Sequence, residues 1–211
     1  MIADAHTHNQ FSCEGIISTS PERFNPLPGK VYSVGLHPWL TAGIADHSIE
    51  QLRRILKFPE VVAVGETGID KMKGAPIEIQ EKIFLQHIEL SEETKKPLII
   101  HDVKAAGQIL AIHRQIKPKM PWIRHGFRGN AQTARMYYSK GIYLSIGEKF
   151  NPEAVKSIPE SLLLLETDES PLTITEIARK AATARQTTTE ALLALSASNI
   201  STILKLSDST I

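Results

Sequence analysis

The chain has 211 residues, of which 42% are apolar and 22% are charged, as in a globular protein with one sizeable core. Its 24 Lys and Arg residues nearly balance 23 Asp and Glu residues, which gives a net charge of +1. Nothing in that balance requires a nucleic-acid or membrane partner, although local basic patches can still bind phosphate. The single cysteine, Cys13, excludes an internal disulfide, and we expect it to be a small buried side chain.

We predict a single domain over residues 1–211, because this length does not require a second core. The first residues lack the pattern of a signal peptide, and no apolar run is long enough to cross a bilayer. We therefore expect a cytoplasmic protein that has neither a membrane partner nor an obligate protein partner.

Short apolar runs alternate with segments of helical period, which predicts β/α units and a parallel sheet. The predicted strands are Met1–Ala5, Gly15–Thr19, Val31–Leu36, Val61–Gly65, Pro97–Ile100, Trp122–His125, Ile142–Ile146 and Leu162–Leu165. Eight such strands favour an α/β protein with a TIM-type (β/α) barrel. Three prolines between Asn9 and Lys30 break any helical pattern, so we expect the first helix to be shortened or missing. A seven-stranded or incompletely closed barrel also fits the pattern.

Between the predicted strands, helical periodicity and capping residues predict α-helices. The first predicted helix covers Ser48–Lys57 and begins with a capping box of Ser48 and Gln51. The later helix starts are marked by Pro76, by Asn130, by Thr173 with Glu176, and by Thr187 with Glu190.

Six side chains that can bind a metal stand at or just past the ends of predicted strands: His6, His8, Glu66, His101, His125 and Asp168. The carboxyl ends of parallel barrel strands open on one face, where enzymes of this fold place their sites. A single histidine at such a position is more often structural, but four in register are harder to explain that way. The sequence therefore predicts a metal site.

The spacing of His6 and His8 places both imidazoles on one side of the first strand, so that both can reach one ion. Histidine and carboxylate ligands suit Zn²⁺, Mn²⁺ or Fe²⁺, and carboxylates with water also accept Mg²⁺. The six groups exceed the needs of one tetrahedral ion. We therefore predict two divalent ions, with Glu66 placed to bridge them.

Several other polar residues follow the predicted strands and are candidates for substrate binding. His37 lies in the GLHPW segment, where a shaped loop and a substrate contact are equally good interpretations. Basic residues on the same face are Lys71, Lys73, Lys104, Arg128 and Lys149. Any one of them is readily explained as solvated charge. Arg128 is the best candidate for a phosphate contact because it lies three residues after His125. Lys104 is a further candidate for substrate binding.

The sequence resembles the TatD family of metal-dependent hydrolases over nearly its whole length. The matching stretches are DAHTHN (Asp4–Asn9), VGLHPW (Val34–Trp39), VGETGID (Val64–Asp70), KPLIIH (Lys96–His101), HGFRGN (His125–Asn130), YLSIG (Tyr143–Gly147) and ETDESP (Glu166–Pro171). The chain departs from the family at its shortened front end, after His101, and at the LTITEIA segment that follows Pro171.

The resemblance implies a (β/α) barrel, two divalent ions and hydrolysis of phosphodiesters, as in a deoxyribonuclease. It implies that His6, His8 and Asp168 hold one ion, that Glu66 bridges, and that His101 and His125 hold the other. The expected cofactors are two ions of Mg, Mn or Zn, and the expected substrate is DNA or a small phosphoester. Asp168 is expected to orient the attacking water and take its proton, so Asp168 and Glu66 are the candidate catalytic residues.

Two other functions fit the same residues. The first is a metal-dependent amidohydrolase or lactonase, because a fold does not determine the substrate. Glu66 disfavours it, since a lysine at the end of the fourth strand would have been its expected bridge. The second is a non-catalytic barrel that binds nucleic acid, which the complete set of candidate ligands disfavours.

Overall fold

The computed structural model describes residues 1–43 and 46–208. Its eight strands are parallel and follow the order β1 to β8 in a closed barrel, which confirms the predicted TIM-type fold. The strands are β1 (Asp4–Thr7), β2 (Gly15–Thr19), β3 (Val31–Val34), β4 (Val61–Asp70), β5 (Leu98–Val103), β6 (Trp122–Arg124), β7 (Tyr143–Ile146) and β8 (Leu163–Leu165).

Seven α-helices are assigned within the described ranges: α1 (Asp46–Ile55), α2 (Ile77–Thr94), α3 (Ala106–Ile116), α4 (Ala131–Tyr138), α5 (Pro152–Ser157), α6 (Ile174–Arg185) and α7 (Thr189–Asp208). Residues 8–14 and 20–30, which all belong to the described part, form turns and loops without a helix, so the missing first helix is confirmed. Among the described residues, no helix combines the length and apolar character of a membrane span.

The described chain contains two compact units. The first is formed by Met1–Ile17 and Ile123–Lys205, and the second is built on Ser18–Trp122. In the first unit, Leu144, Ile146, Leu164 and Leu165 of β7 and β8 are at most 1% exposed. In the second, Phe84 is completely buried and packs edge-on against Trp122 with ring centroids 5.6 Å apart.

Several local predictions need correction. Ser48 lies inside α1 and cannot be its N-cap, because the helix begins at Asp46. The last helix begins at Thr189, and the Thr188 hydroxyl accepts from the Ala191 amide at 3.1 Å, so the cap is one residue later than Thr187. Cys13 is exposed, because its loop crosses the surface between β1 and β2. The capping box of Thr173 and Glu176 is confirmed.

The buried His87 on α2 connects this helix to the loop after β3. Its Nε2 accepts from the Leu36 amide at 2.9 Å, and its Nδ1 donates to the carbonyl oxygen of Ile83 at 2.8 Å. Burial lowers the pKa of His87 from 6.5 to about 4. Folding therefore requires the neutral imidazole, and both ring nitrogens are used.

The pKa of His87 predicts a loss of stability in acid. Because the folded pKa lies below the unfolded one, the contribution is complete above pH 6.5 and is lost as pH falls toward 4. The shift corresponds to about 3 kcal/mol of unfolding free energy. Urea unfolding at several pH values should show this slope, and His87→Gln should flatten it while His47→Gln, at an exposed position, should not. An unchanged slope in His87→Gln would refute the assignment.

Candidate metal centre

In the first unit, three predicted ligands meet where β1 and the segment after β8 run side by side. The Asp168 amide donates to the His6 carbonyl oxygen at 2.9 Å, and the His8 amide donates to the Asp168 carbonyl oxygen at 3.1 Å. This backbone pairing brings Asp168 Oδ1 to 3.8 Å from His6 Nε2 and 3.7 Å from His8 Nε2. The alternation predicted for His6 and His8 thus places both rings beside one carboxylate.

A buried carboxyl group holds this part of the site together. Asp4 accepts from the His6 amide at 3.2 Å, from the Thr167 amide at 3.0 Å and from the Thr167 hydroxyl at 2.6 Å. Burial raises the pKa of Asp4 to about 7 despite these hydrogen bonds. Asp4 therefore fixes the strand that carries His6 to the residue that precedes Asp168.

Glu166 is a site residue that the sequence analysis did not single out. It is completely buried, accepts from the Gly126 amide at 2.5 Å and lies 3.7 Å from His125 Nδ1. Burial alone would raise its pKa, but hydrogen bonding and charge from His125 bring the pKa below its ordinary value. Ligand atoms of His125, Glu166 and Asp168 all lie within 4.8 Å of one another. Its position in the ETDESP stretch, directly after the predicted eighth strand and two residues before Asp168, was the available signal.

The second unit contains the other two predicted ligands, Glu66 and His101. His101 Nδ1 lies 2.7 Å from Glu66 Oε1. Both residues lie inside strands rather than after them, because β4 continues to Asp70 and β5 to Val103. The two strands pair in parallel, with Gly68 opposite His101, which places Glu66 and His101 side by side.

Asp70 is the second residue that the sequence analysis missed. It lies four residues after Glu66 on β4, so both carboxylates face the same side of the strand. Its Oδ2 lies 3.3 Å from His101 Nε2 and accepts from the Trp39 indole at 2.6 Å. A proton on His101 Nε2 leaves Nδ1 as the ring nitrogen that can bind a metal beside Glu66, and a carboxylate behind a ligating histidine is a usual arrangement.

The environment of Asp70 keeps it ionised and fixed. Burial raises its pKa, but hydrogen bonds from the Trp39 indole and the Met72 amide outweigh burial, so the pKa lies below its ordinary value. The buried Gln80 side chain accepts from the Asp70 amide at 2.7 Å and donates to the carbonyl oxygens of Asp70, Lys73 and Ala75 at 2.7–3.1 Å. Gln80 thereby fixes the end of β4.

The position of Asp70 predicts that Asp70→Asn weakens metal binding about 10–100-fold, because the amide no longer selects one tautomer of His101. Titration of the metal-stripped protein with Mn²⁺ or Zn²⁺ measures this affinity directly. Glu78→Gln is the control, because it removes an exposed carboxylate from the same unit. Equal affinities in Asp70→Asn and the parent protein would exclude this role.

His37 also lies against this pair, with Nε2 3.1 Å from Glu66 Oε1 and 3.3 Å from His101 Nδ1. Its Nδ1, however, accepts from the Trp39 amide at 3.1 Å. A ring nitrogen that accepts a hydrogen bond has no proton, so the proton of neutral His37 is on Nε2. His37 can therefore donate from Nε2 to Glu66 or to a substrate oxygen, and it does not offer Nε2 as a metal ligand in this tautomer.

The two predicted basic contacts differ in their surroundings. Arg128 lies 3.9 Å from Asp168 Oδ2, has a side chain that is 58% exposed, and lines an open cleft of about 220 Å³ together with Lys149, Asp168 and Ser170. Lys104 is exposed at the end of β5. Arg128 is thus placed beside a candidate ligand, whereas the role of Lys104 stays a prediction from the sequence.

The distances within each unit suit a divalent ion. Two ligands bonded at 2.1 Å lie about 3.0 Å apart around an octahedral ion and about 3.4 Å apart around a tetrahedral ion. The separations of Asp168 from His6 and His8, 3.8 and 3.7 Å, and of Glu66 from His101, 2.7 Å, bracket these values. Histidine nitrogens with carboxylate oxygens are also a suitable donor set for such ions.

Comparisons with known proteins give consistent results. A family model described as "TatD related DNase" matches residues 21–205. A metal-dependent hydrolase named TatD from Mycobacterium tuberculosis is 35% identical over 158 residues, which are 68% of this chain and 60% of that protein. A protein from Cronobacter turicensis named "3'-5' ssDNA/RNA exonuclease TatD" is 32% identical over 164 residues, which are 72% and 62% of the two chains. This chain thus spans less than two thirds of either relative's length.

A solved structure supports the fold. The TatD homologue YjjV from Escherichia coli superposes with a TM-score of 0.82, at 21% identity, over 96% of this chain and 97% of that one. The family model begins after His6 and His8, so those two candidate ligands depend on the sequence motif and on the geometry at Asp168.

Proposed function

Because this chain belongs to the TatD-related DNase family, we propose that it is a divalent-metal-dependent nuclease that hydrolyses phosphodiester bonds of nucleic acid. The observation that carries the proposal is the grouping of histidine nitrogens and carboxylate oxygens within 4.8 Å in each unit. A relative named as an exonuclease of single-stranded DNA and RNA supports nucleic acid as the substrate.

The proposal includes two divalent ions of Mg, Mn or Zn. His6, His8 and Asp168 hold one ion, and Glu66 with His101 contributes to the other, with Asp70 behind His101. The bridging role of Glu66 and the pairing of His125 with His101 stay predictions from the resemblance. Bound divalent ions lower the pKa of water and stabilise negative charge on phosphoryl oxygens.

Proton transfer and substrate binding are assigned to individual side chains. Asp168 orients the attacking water and takes its proton, since it is 23% exposed in its side chain and borders the open cleft. Arg128 holds a non-bridging oxygen, because its guanidinium already lies beside Asp168. The Nε2 proton of His37 and the ammonium of Lys104 contact the substrate.

The first experiment uses metal-stripped protein with end-labelled single- and double-stranded DNA and RNA, with Mg²⁺, Mn²⁺ or Zn²⁺ added in turn. We expect metal-dependent cleavage by the parent and a loss of at least about 1,000-fold in a His101→Ala/His125→Ala variant, since each removed histidine weakens an ion that supplies several kcal/mol. The ladder of products distinguishes exonuclease from endonuclease action.

The control variant is His113→Gln, because His113 packs against Trp122 with ring centroids 4.8 Å apart and is not among the candidate ligands. If no nucleic acid is cleaved with any metal, although ions bind, the nuclease proposal is wrong. Lactones, amides and small phosphoesters are then the substrates to test. The single domain over residues 1–211 and the cytoplasmic location also remain proposals.

A further inference from the structure

Trp39 is a large aromatic side chain that lies beside the Glu66–His101 pair and still faces solvent. It is 43% exposed and lies in the short 3-10 helix Pro38–Leu40. Its ring centroid is 4.7 Å from that of His37 and 5.9 Å from that of His101. A solvent-facing indole this close to candidate catalytic groups needs an explanation, because burial does not provide one.

The indole is also held in a fixed position. Its Nε1 donates to Asp70 Oδ2 at 2.6 Å, and Asp70 is itself fixed by Gln80 through the Asp70 amide at 2.7 Å. The cost of ordering the aromatic face is therefore met before any ligand binds. One carboxylate connects this face to His101, so a ligand stacked on Trp39 is placed at a defined distance from the candidate metal site.

The charges around Trp39 suit a polyanion. Lys73 Nζ lies 3.4 Å from the ring centroid, and Lys71 and Lys73 both occupy the exposed segment after β4. An aromatic face accompanied by basic side chains is how proteins bind single-stranded nucleic acid without sequence preference. An exposed cation–π contact is weaker than a base–aromatic stack, so a base can take the place of Lys73 and leave its ammonium to pair with a phosphate.

We propose that Trp39 is a stacking platform for a nucleobase of a single-stranded substrate, and that Lys73 binds a neighbouring phosphate. This inference rests on the proposed nuclease function and deepens it by assigning Trp39 and Lys73 to the binding of the substrate. In a duplex the faces of interior bases are covered by their neighbours, so the platform selects unpaired or terminal nucleotides.

The test uses the fluorescence of the protein itself. The chain has two tryptophans, and the second, Trp122, is only 2% exposed. A ligand that stacks on Trp39 therefore changes the fluorescence of Trp39 and leaves that of Trp122 unchanged. In EDTA, where the oligonucleotide stays intact, we expect deoxythymidine and uridine decamers to quench the emission and an abasic decamer with the same phosphates not to do so. Equal quenching by the abasic decamer would overturn the inference.

A matched pair of variants distinguishes the loss of the aromatic face from the loss of the hydrogen bond between Trp39 and Asp70. Trp39→Phe and Trp39→Leu both remove the hydrogen bond to Asp70, but only Trp39→Phe keeps an aromatic face. We expect the decamers to bind Trp39→Leu roughly 10-fold more weakly than Trp39→Phe, with equal Mn²⁺ affinity in the two variants. Equal decamer affinity would overturn the platform.

The two proposals can fail separately. A parent protein that cleaves nucleic acid, with equal decamer binding by the two variants, keeps the nuclease and rejects the platform. A parent protein that shows base-dependent quenching but no cleavage with any metal keeps the platform and rejects the nuclease.

Discussion

Asp168→Asn is expected to reduce the rate of phosphodiester hydrolysis by roughly 10²–10⁴-fold, the usual contribution of a general base. Asp168 lies within 4.8 Å of two sets of ligand atoms in the first unit, one with His6 and His8 and one with His125 and Glu166. The substitution removes a charge and changes almost nothing else. Its backbone has φ 53°, a left-handed conformation that asparagine tolerates better than most residues.

The hydrogen bonds that pair Asp168 with the backbone of His6 and His8 involve main-chain atoms, so they survive the exchange. The turnover number at saturating Mn²⁺ and the affinity for Mn²⁺ should both be measured, because the charge serves the ion as well as the water. Glu169→Gln removes the neighbouring exposed carboxylate that lines the same cleft and should change the rate far less. A variant that binds metal fully and turns over normally would show that Asp168 has neither role.

The barrel could be predicted from the sequence, and so could the placement of two candidate ligands on the same side of one strand. Alternation of apolar and helical segments identified all eight strands, and β2 agrees to the residue. The spacing of His6 and His8 predicted that their rings lie on one side of the chain at the end of β1, as their distances to Asp168 show. These features depend on local periodicity, which the sequence carries directly.

Features that depend on the exact length of a strand were harder to predict from the sequence. The predicted fourth strand ended at Gly65, whereas β4 continues to Asp70 because Thr67–Asp70 pair with β5 after a shift of register. With the shorter strand, Asp70 fell in a loop and had no fixed relation to Glu66. With the observed strand, the spacing of four places both carboxylates beside His101. Helix α5 was missed for a similar reason, since six residues carry little periodicity.

Side-chain orientation could not be predicted at all from single positions. Nothing in the GLHPW segment indicates that the Trp39 amide donates to His37 Nδ1 or that the Trp39 indole donates to Asp70. Both contacts depend on the 3-10 helix that begins at Pro38. The first contact decides the tautomer of His37, and hence whether its Nε2 is available to a metal or to a substrate.

His101→Gln is expected to reduce the number of tightly bound divalent ions from two to one and to lower the rate about 1,000-fold, equivalent to about 4 kcal/mol of lost stabilisation. His101 Nδ1 lies 2.7 Å from Glu66, and Asp70 lies 3.3 Å from the opposite nitrogen, so removal of the ring leaves both carboxylates without a shared partner. Elemental analysis after dialysis counts the ions, with His113→Gln as the matched control. If His101→Gln retains two ions at the parent's affinity, the second ion does not depend on this histidine. Loss of one ion without loss of rate would instead assign the chemistry to the ion beside Asp168.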